Sequence, residues 1–257
     1  NSVGYKKDYE MFSLDFEEFL WAKGYDDATV QSMLSHMREL RPFNELEMKV
    51  YHSLFLDFCV LGGMPAVVAE YIQRNTFENS LDTQRQLIAD YKEDIRKYAQ
   101  GIDQTRILNV FNRIAPQLAK ENKKFQYSLA KKGSTAARFA GSLQWIEDAG
   151  IITRCNNLSI TELPLDGNAI DDQFKIYMAD TGLFVSMLEE GAQFDILNGN
   201  LFGYKGGIFE NLIADIFSKM DRKLYYFRKD SGLELDFVIR YKGRCVPVEV
   251  KANDGNA

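Results

Sequence analysis

Two short runs near the C-terminal end alternate strictly between polar and apolar residues, and no other feature of the chain constrains its fold as much. They are LELDFVIRY at residues 233–241 and RCVPVEVKA at residues 244–252. Such alternation is typical of half-buried strands, and the Lys-Gly pair between the runs predicts a two-residue hairpin loop. Pairing outward from that loop places Phe237 opposite Val248, so one face of the hairpin is apolar.

The other face of the predicted hairpin places like charges opposite each other. Asp236 would face Glu249, and Glu234 would face Lys251. Directly opposed like charges destabilise a strand pair, whereas carboxylates from two strands can share one Mg²⁺ ion. Lys251 would then lie beside a metal-bound water or beside the charge that develops in a transition state. The alternative is a solvated face on which Glu234 pairs with Lys251 while the two acids point apart.

The composition excludes several classes of protein. The chain has 257 residues, of which 46% are hydrophobic, so it can form the cores of two or three domains. A net charge of −6 argues against wholesale coating of nucleic acid but leaves room for a local basic patch. The three cysteines are far apart and form no CxxC motif, which disfavours a zinc site or a disulfide framework and fits a reducing cytoplasm.

No secretory signal or membrane-spanning segment is predicted. The first ten residues are polar and charged, unlike a secretory signal. The most apolar stretch, residues 53–72, is interrupted by two acids, two glycines and a proline, so it predicts buried helices rather than a membrane span. We therefore expect a cytoplasmic protein without membrane contact.

The remaining patterns predict an α+β chain of several domains. Residues 1–101 carry apolar residues at helical spacing and predict a helical region. Residues 102–165 predict three short helices, a strand, a turn at Asn156-Asn157 and a returning strand, which is the order of a winged helix-turn-helix. Residues 170–257 predict a strand, two helices and three further strands, an α/β arrangement.

The predicted winged helix carries a basic cluster on an otherwise acidic protein. Its candidate nucleic-acid contacts are Lys123, Lys124, Lys131, Lys132 and Arg138. Side chains of these types reach phosphates and base edges in protein–DNA interfaces. Winged helices also serve as protein-contact modules, so a protein partner is the alternative to DNA.

An acidic residue lies beside the apolar stripe of the helix predicted at residues 208–220. This residue, Glu210, would either point toward the sheet or be a first-turn acid that the helix dipole favours. Together with Asp236 on the second strand and Glu249-x-Lys251 on the third, it resembles the pattern of the restriction-endonuclease-like (PD-(D/E)XK) superfamily.

That resemblance implies a metal-dependent deoxyribonuclease. Asp236 and Glu249 would bind Mg²⁺, Lys251 would position or activate water, and Glu210 would be an additional acid. The substrate would be a nucleic-acid phosphodiester that the winged helix helps to deliver. The superfamily core continues with another helix and strand beyond the ExK motif, so the domain at residues 170–257 would be incomplete.

Five further segments extend the resemblance over nearly the whole chain. They are SLDFEEFL at residues 13–20, GGMP at 62–65, Asp94-Ile95, FKIYMADTGL at 174–183 and GIFEN at 207–211. In this order they look like the C-terminal portion of prokaryotic AAA-type P-loop ATPases that end in a nuclease-like domain. An ATPase core would then precede the first segment, and residues 1–101 would form its helical lid region. The chain contains no GxxxxGK[ST] loop, so we expect ATP to bind only a longer parent protein and this fragment to have no ATPase activity.

Two other functions fit the same sequence. The chain could be a non-catalytic accessory region of such an ATPase, whose winged helix and nuclease-like fold bind DNA or a protein partner. It could also be a transcription regulator built on the winged helix, which would require a dimer interface or ligand pocket that the sequence does not identify. No oligomeric state is predicted.

Overall fold

The described residues up to position 148 are mainly helical. The computed structural model describes residues 4, 6–7, 9–99, 104–119 and 136–251. Up to residue 148 these form helices α1 Phe16–Ala22, α2 Asp27–Arg38, α3 Glu45–Leu61, α4 Pro65–Arg74, α5 Phe77–Tyr98, α6 Gln104–Leu118 and α7 Ala136–Asp148.

The second half combines strands with shorter helices. Its elements are β1 Ile152–Leu158, β2 Ala169–Met178, α8 Thr181–Ser186, α9 Ala192–Leu197, α10 Lys205–Lys219, β3 Leu224–Arg228, β4 Glu234–Leu235, β5 Phe237–Tyr241 and β6 Arg244–Val248. Single turns of 3₁₀ helix lie at Asp166–Asn168 and Phe202–Tyr204. The prediction of an α+β chain is confirmed.

Four strands form a mixed sheet in the order β2-β1-β3-β4, and β5 and β6 form a separate hairpin. Strand β1 is antiparallel to β2 and parallel to β3, and β3 is antiparallel to β4. The parallel pair is a non-local contact, because β2 and three helices lie between its strands along the chain. It joins a strand of the predicted winged-helix segment to a strand of the predicted nuclease-like segment.

The predicted turn at Asn156-Asn157 is wrong, because β1 continues through it and pairs with β2. The register shifts between these two residues, which marks a bulge in the strand. The buried amide of Asn157 donates to Gln173 Oε1 (2.9 Å), and its Oδ1 accepts from the backbone N–H of Arg228 (2.9 Å). The asparagine therefore links β1 to both neighbouring strands instead of reversing the chain.

The predicted hairpin register is confirmed for β5 and β6. Phe237 pairs with Val248, and both loop residues, Lys242 and Gly243, have positive φ (47° and 74°), as a tight hairpin loop requires. The β5–β6 ladder ends at the pair of Phe237 and Val248, because Glu234 belongs to β4 and pairs with β3. The predicted ladder pairs of Asp236 with Glu249 and of Glu234 with Lys251 are therefore wrong.

Both halves of the molecule share one hydrophobic core. Its largest cluster includes Ile95 of α5, Phe111 of α6, Tyr177 of β2, Ile208 of α10 and Phe237 of β5, all essentially inaccessible to solvent. None of the described helices combines the length and the apolar character needed to cross a membrane. The helical layer thus packs directly on the sheets and fixes α10 against β2.

Candidate functional site

Helix α10 directs Glu210 toward the sheet, which settles the two alternatives for this residue. Glu210 is buried, with 7% of its surface exposed. The hydroxyl of Tyr177 on β2 donates to Glu210 Oε2 (3.0 Å), and Lys175 Nζ lies 3.7 Å from the same oxygen. The acid therefore belongs to a polar contact between the helix and β2.

Lys175 lies at the centre of that contact. Its Nζ is 2.7 Å from Glu234 Oε1 and 5.0 Å from the centre of the Tyr226 ring, and only 2% of the residue is exposed. Burial alone would lower the pKa of this lysine, but the charges of Glu210 and Glu234 outweigh burial and raise it. We refer to Lys175, Tyr177, Glu210 and Glu234 as the lysine cluster.

The charges of Glu210 and Asp236 both affect the pKa values of two buried groups, Cys155 and Tyr177. Burial raises the pKa of Cys155, and the charges of Glu210 and Asp236 raise it further against the opposing effect of Lys175. The pKa of Tyr177 likewise lies well above its ordinary value. Burial is the largest cause, the charge of Glu210 is the next, and the charge of Asp236 adds to them. Cys155 thus stays a protonated, inert thiol.

The predicted catalytic residues of the hairpin gather at its open end. Asp236 Oδ2 accepts from the backbone N–H of Val250 (2.8 Å), and Glu249 pairs with Lys251 (2.8 Å). The pKa of Lys251 is raised by its hydrogen bond to Glu249 and also by the charge of Asp236. Glu234, predicted to face Lys251, instead contacts Lys175.

These residues supply fewer ligands than a complete metal centre. Among the described residues, no group of three or more His, Cys, Asp or Glu side chains is placed to hold a metal ion. Proteins commonly bind Mg²⁺ through one or two carboxylates, with water and substrate phosphates completing the shell. Asp236 and Glu249 match that smaller requirement in residue type, although one oxygen of Asp236 is already hydrogen-bonded.

The structure does not describe the side chains of the predicted nucleic-acid contacts. Lys123, Lys124, Lys131 and Lys132 lie outside the described residues, and of Arg138 only the helical backbone is described. The DNA contact therefore stays a prediction from sequence.

A second polar arrangement, which we call the joint, binds the chain at Leu14 to the rest of the molecule. The N–H of Leu14 donates to the carbonyl of Gly63 (2.7 Å), and the N–H of Gly63 donates to Asp180 Oδ2 (2.7 Å). The other oxygen of Asp180 caps α8 through the N–H of Leu183 (2.9 Å). A Cβ atom at Gly63 would overlap the Leu14 carbonyl, so this approach requires glycine.

Helix α10 completes the joint from the other side. Lys219 Nζ donates to the carbonyl of Leu14 (3.0 Å) and to Asp215 Oδ2 (2.8 Å). Burial raises the pKa of Asp215 to about 7, although Lys219 opposes this effect. One turn earlier, Asn211 Oδ1 accepts from the N–H of Met178 (2.8 Å) and fixes α10 to the end of β2.

A groove of about 910 Å³ lies beside the joint. Its lining includes Ser13, Asp180, Asp215, Arg154 and Arg222, and none of the four predicted catalytic residues borders it. The groove and the predicted catalytic residues are therefore separate features.

Sequence reasoning missed the residues that organise both polar arrangements. Lys175 was detectable as a lysine inside an otherwise apolar strand, FKIYM at residues 174–178. Asp180 was detectable as a helix-capping residue directly after that strand. Asp215 carried no comparable signal, because an acid on an amphipathic helix is ordinarily solvated.

Two family profiles match the segments that supply the two sides of these contacts. The profile of the family described as Domain of unknown function (DUF8612) matches residues 52–193, more than half of the chain. The chain belongs to the DUF8612 family. The profile of a second family, Domain of unknown function (DUF4143), matches residues 205–257 and describes a domain often found at the C-terminus of AAA-type ATPases. Comparisons with curated proteins and with solved structures find no match.

The boundary between the DUF8612 and DUF4143 regions runs through both polar arrangements. In the lysine cluster, Lys175 and Tyr177 come from the first region, and Glu210 and Glu234 from the second. In the joint, Gly63 and Asp180 come from the first region, and Asp215 and Lys219 from the second. The DUF4143 match supports the part of the predicted resemblance that concerns the C-terminus of AAA-type ATPases, whereas the restriction-endonuclease-like assignment stays a prediction.

Proposed function

We propose that this chain is the accessory C-terminal region of an AAA-type ATPase and that its joint couples the preceding ATPase core to the rest of the region. The observation that carries this proposal is the double hold on Leu14. Its N–H is bound by Gly63 of the DUF8612 region, and its carbonyl is bound by Lys219 of the DUF4143 region. A displacement of the segment at Leu14 must therefore act on both regions at once.

The segments that carry the family resemblance support this role. Four of those segments meet at the joint or at the adjoining contact between α10 and β2, namely residues 13–20, 62–65, 174–183 and 207–211. Buried, glycine-dependent backbone contacts transmit displacement well, because packed interiors have low compressibility. In this role the region binds a protein or DNA partner while the ATPase core supplies the energy.

The test compares two glycine variants in the complete gene product. Gly63→Ala forces the Leu14 carbonyl away from its partner, whereas a Cβ at Gly141 in α7 meets nothing within 4 Å, so Gly141→Ala is the matched control. We expect Gly63→Ala to alter ATP turnover and Gly141→Ala to leave it at the wild-type rate. A gene product without a nucleotide-binding core, or equal turnover in both variants despite a displaced residue 14, contradicts the proposal.

A metal-dependent deoxyribonuclease is the second candidate function. It is favoured by the gathering of Asp236, Glu249 and Lys251 at the open end of the hairpin, with Glu210 and Asp236 acting on the same buried groups. In this function the two hairpin carboxylates hold Mg²⁺, Lys251 positions the attacking water, and the basic residues between 102 and 165 help to deliver DNA.

Nuclease activity is tested on the complete gene product with DNA and either Mg²⁺ or Mn²⁺. Cleavage that is lost in Asp236→Asn supports the second candidate. Uncut DNA, together with no calorimetric binding of either ion, excludes it. Salt-sensitive DNA binding that survives Asp236→Asn but not loss of Lys131 and Lys132 assigns the region to non-catalytic DNA contact.

A further inference from the structure

The environment of Lys175 has the composition of a cation site. Two carboxylates, Glu210 and Glu234, approach its ammonium group from α10 and β4, at 3.7 and 2.7 Å. The centre of the Tyr226 ring lies 5.0 Å from the same ammonium group, and the faces of such rings attract cations. The lysine side chain is 3% exposed, so solvent contributes little to its stabilisation.

The cluster needs this positive charge. Burying an acid without a partner is costly, and removing one member of a buried ion pair leaves the other uncompensated. Glu234 has a second cation 3.6 Å away in Arg228, which is partly exposed. Glu210 forms an ion pair with Lys175, and the Tyr177 hydroxyl donates to the same carboxylate.

We propose that the ammonium group of Lys175 is the resident cation of the Glu210–Glu234 carboxylate pair and takes the position that a divalent metal ion would otherwise occupy there. Glu210 Oε2 is consequently engaged by Lys175 and Tyr177 in the native protein and does not bind a metal ion. Any Mg²⁺ bound at the hairpin then depends on Asp236 and Glu249 without this oxygen of α10. This role of Lys175 is independent of the coupling role of the joint.

If Lys175 takes the place of a metal ion, removing its ammonium group should allow a metal ion to bind the two carboxylates. Lys175→Ala deletes the ammonium group and leaves room for an ion with its water ligands between two carboxylates, the oxygen ligands that Mn²⁺, Mg²⁺ and Ca²⁺ prefer. The variant should therefore acquire a divalent-cation site that the native protein lacks. Because the ion binds the folded state, its midpoint of unfolding should rise with cation concentration.

The experiment titrates Mn²⁺ into the wild-type protein, Lys175→Ala and Lys175→Ala/Glu210→Gln, with calorimetry and thermal unfolding as readouts. We expect one new saturable site in Lys175→Ala, lost again in the double variant. Wild-type binding that disappears in Glu210→Gln would show that a metal ion, not the lysine, is the resident cation. A folded Lys175→Ala protein that gains no Mn²⁺ site overturns the proposal equally.

A control variant and a refolding measurement complete the experiment. Lys223 pairs with Asp166 at 2.9 Å on the surface, so Lys223→Ala removes an exposed lysine–carboxylate pair and should gain no Mn²⁺ site. A gain of the same size there contradicts the proposal. If Lys175→Ala is unfolded without metal, we expect Mn²⁺ or Ca²⁺ to restore its native circular dichroism, and failure of both ions to do so counts against Lys175 as a cation substitute.

Discussion

At the scale of single residues, two buried charges define how α10 meets the rest of the protein. Lys175 sits among two acids at one contact, and Asp215 sits beside Lys219 at the other. The environments differ in their effect, because acids raise the pKa of Lys175 against burial, whereas burial dominates at Asp215. The second contact is therefore the one whose stability depends on pH near neutrality.

We expect Asp215→Asn to remove a pH dependence of folding stability. The pKa of Asp215 rises from an ordinary 3.8 to about 7 on folding, so between these values the native state binds more protons than the unfolded state. The free energy of unfolding therefore falls as pH rises through this window, by about 1.4 kcal/mol for each unit of pKa difference. Above the window it levels off. The nearby charges are Lys219, Asp180 and Asp15.

Urea unfolding at several pH values measures this effect. The stability of Asp215→Asn relative to wild type should increase steadily from about pH 4 through about pH 7, where the native carboxyl is half ionised, and should become constant at higher pH. Asp171→Asn, at an exposed position of β2, is the control and should track the wild-type curve. A constant difference between Asp215→Asn and wild type across the range would contradict the assignment.

At the scale of elements, the hairpin shows what period-2 patterns can and cannot determine. The register of β5 and β6 followed from alternation and a two-residue loop, which are local properties. The change of partner at Asp236 did not, because residues 234–235 pair with the preceding strand β3 instead of extending the β5–β6 ladder. The turn at Asn156-Asn157 was mispredicted for a different reason, since the partner of Asn157 on β3 is far away in sequence.

The hairpin loop offers a test of the element on which the candidate catalytic residues depend. Gly243 has φ of 74°, a conformation that costs an L-residue roughly 1–2 kcal/mol. We expect Gly243→Ala to lower the free energy of unfolding by about that amount, measured by urea denaturation. Gly141→Ala, within α7, should be neutral or stabilising by roughly 0.5–1 kcal/mol. Equal effects in the two variants would argue against the observed loop.

At the scale of the whole molecule, the two family regions form one folded unit. The sequence predicts a helical segment followed by two further domains, whereas the β1–β3 pair, the lysine cluster and the joint each connect residues from both family regions. Short-range patterns predicted most helices and the C-terminal strands. They could not predict these connections, since parallel pairing and buried ion pairs depend on which distant segments meet.

A chain reduced to residues 52–193 should consequently fail to unfold cooperatively. It would lose the parallel partner of β1 and both acids of Lys175, leaving a charged lysine on an exposed strand. Thermal unfolding followed by circular dichroism should give a broad transition for this piece and a single sharp one for the full 257-residue chain. A sharp, protein-like transition in residues 52–193 alone would show that the two regions are autonomous.

The segment that carries Asp236 is divided between two sheets. Its first part, β4, forms the edge of the four-stranded sheet, and its second part, β5, forms half of the hairpin. Asp236 forms the bend between them, and its carboxylate accepts a hydrogen bond from the N–H of Val250, which holds the segment after β6 at the bend. Loss of that hydrogen bond should release the segment after β6 and leave the pairing of β3 with β4 in place.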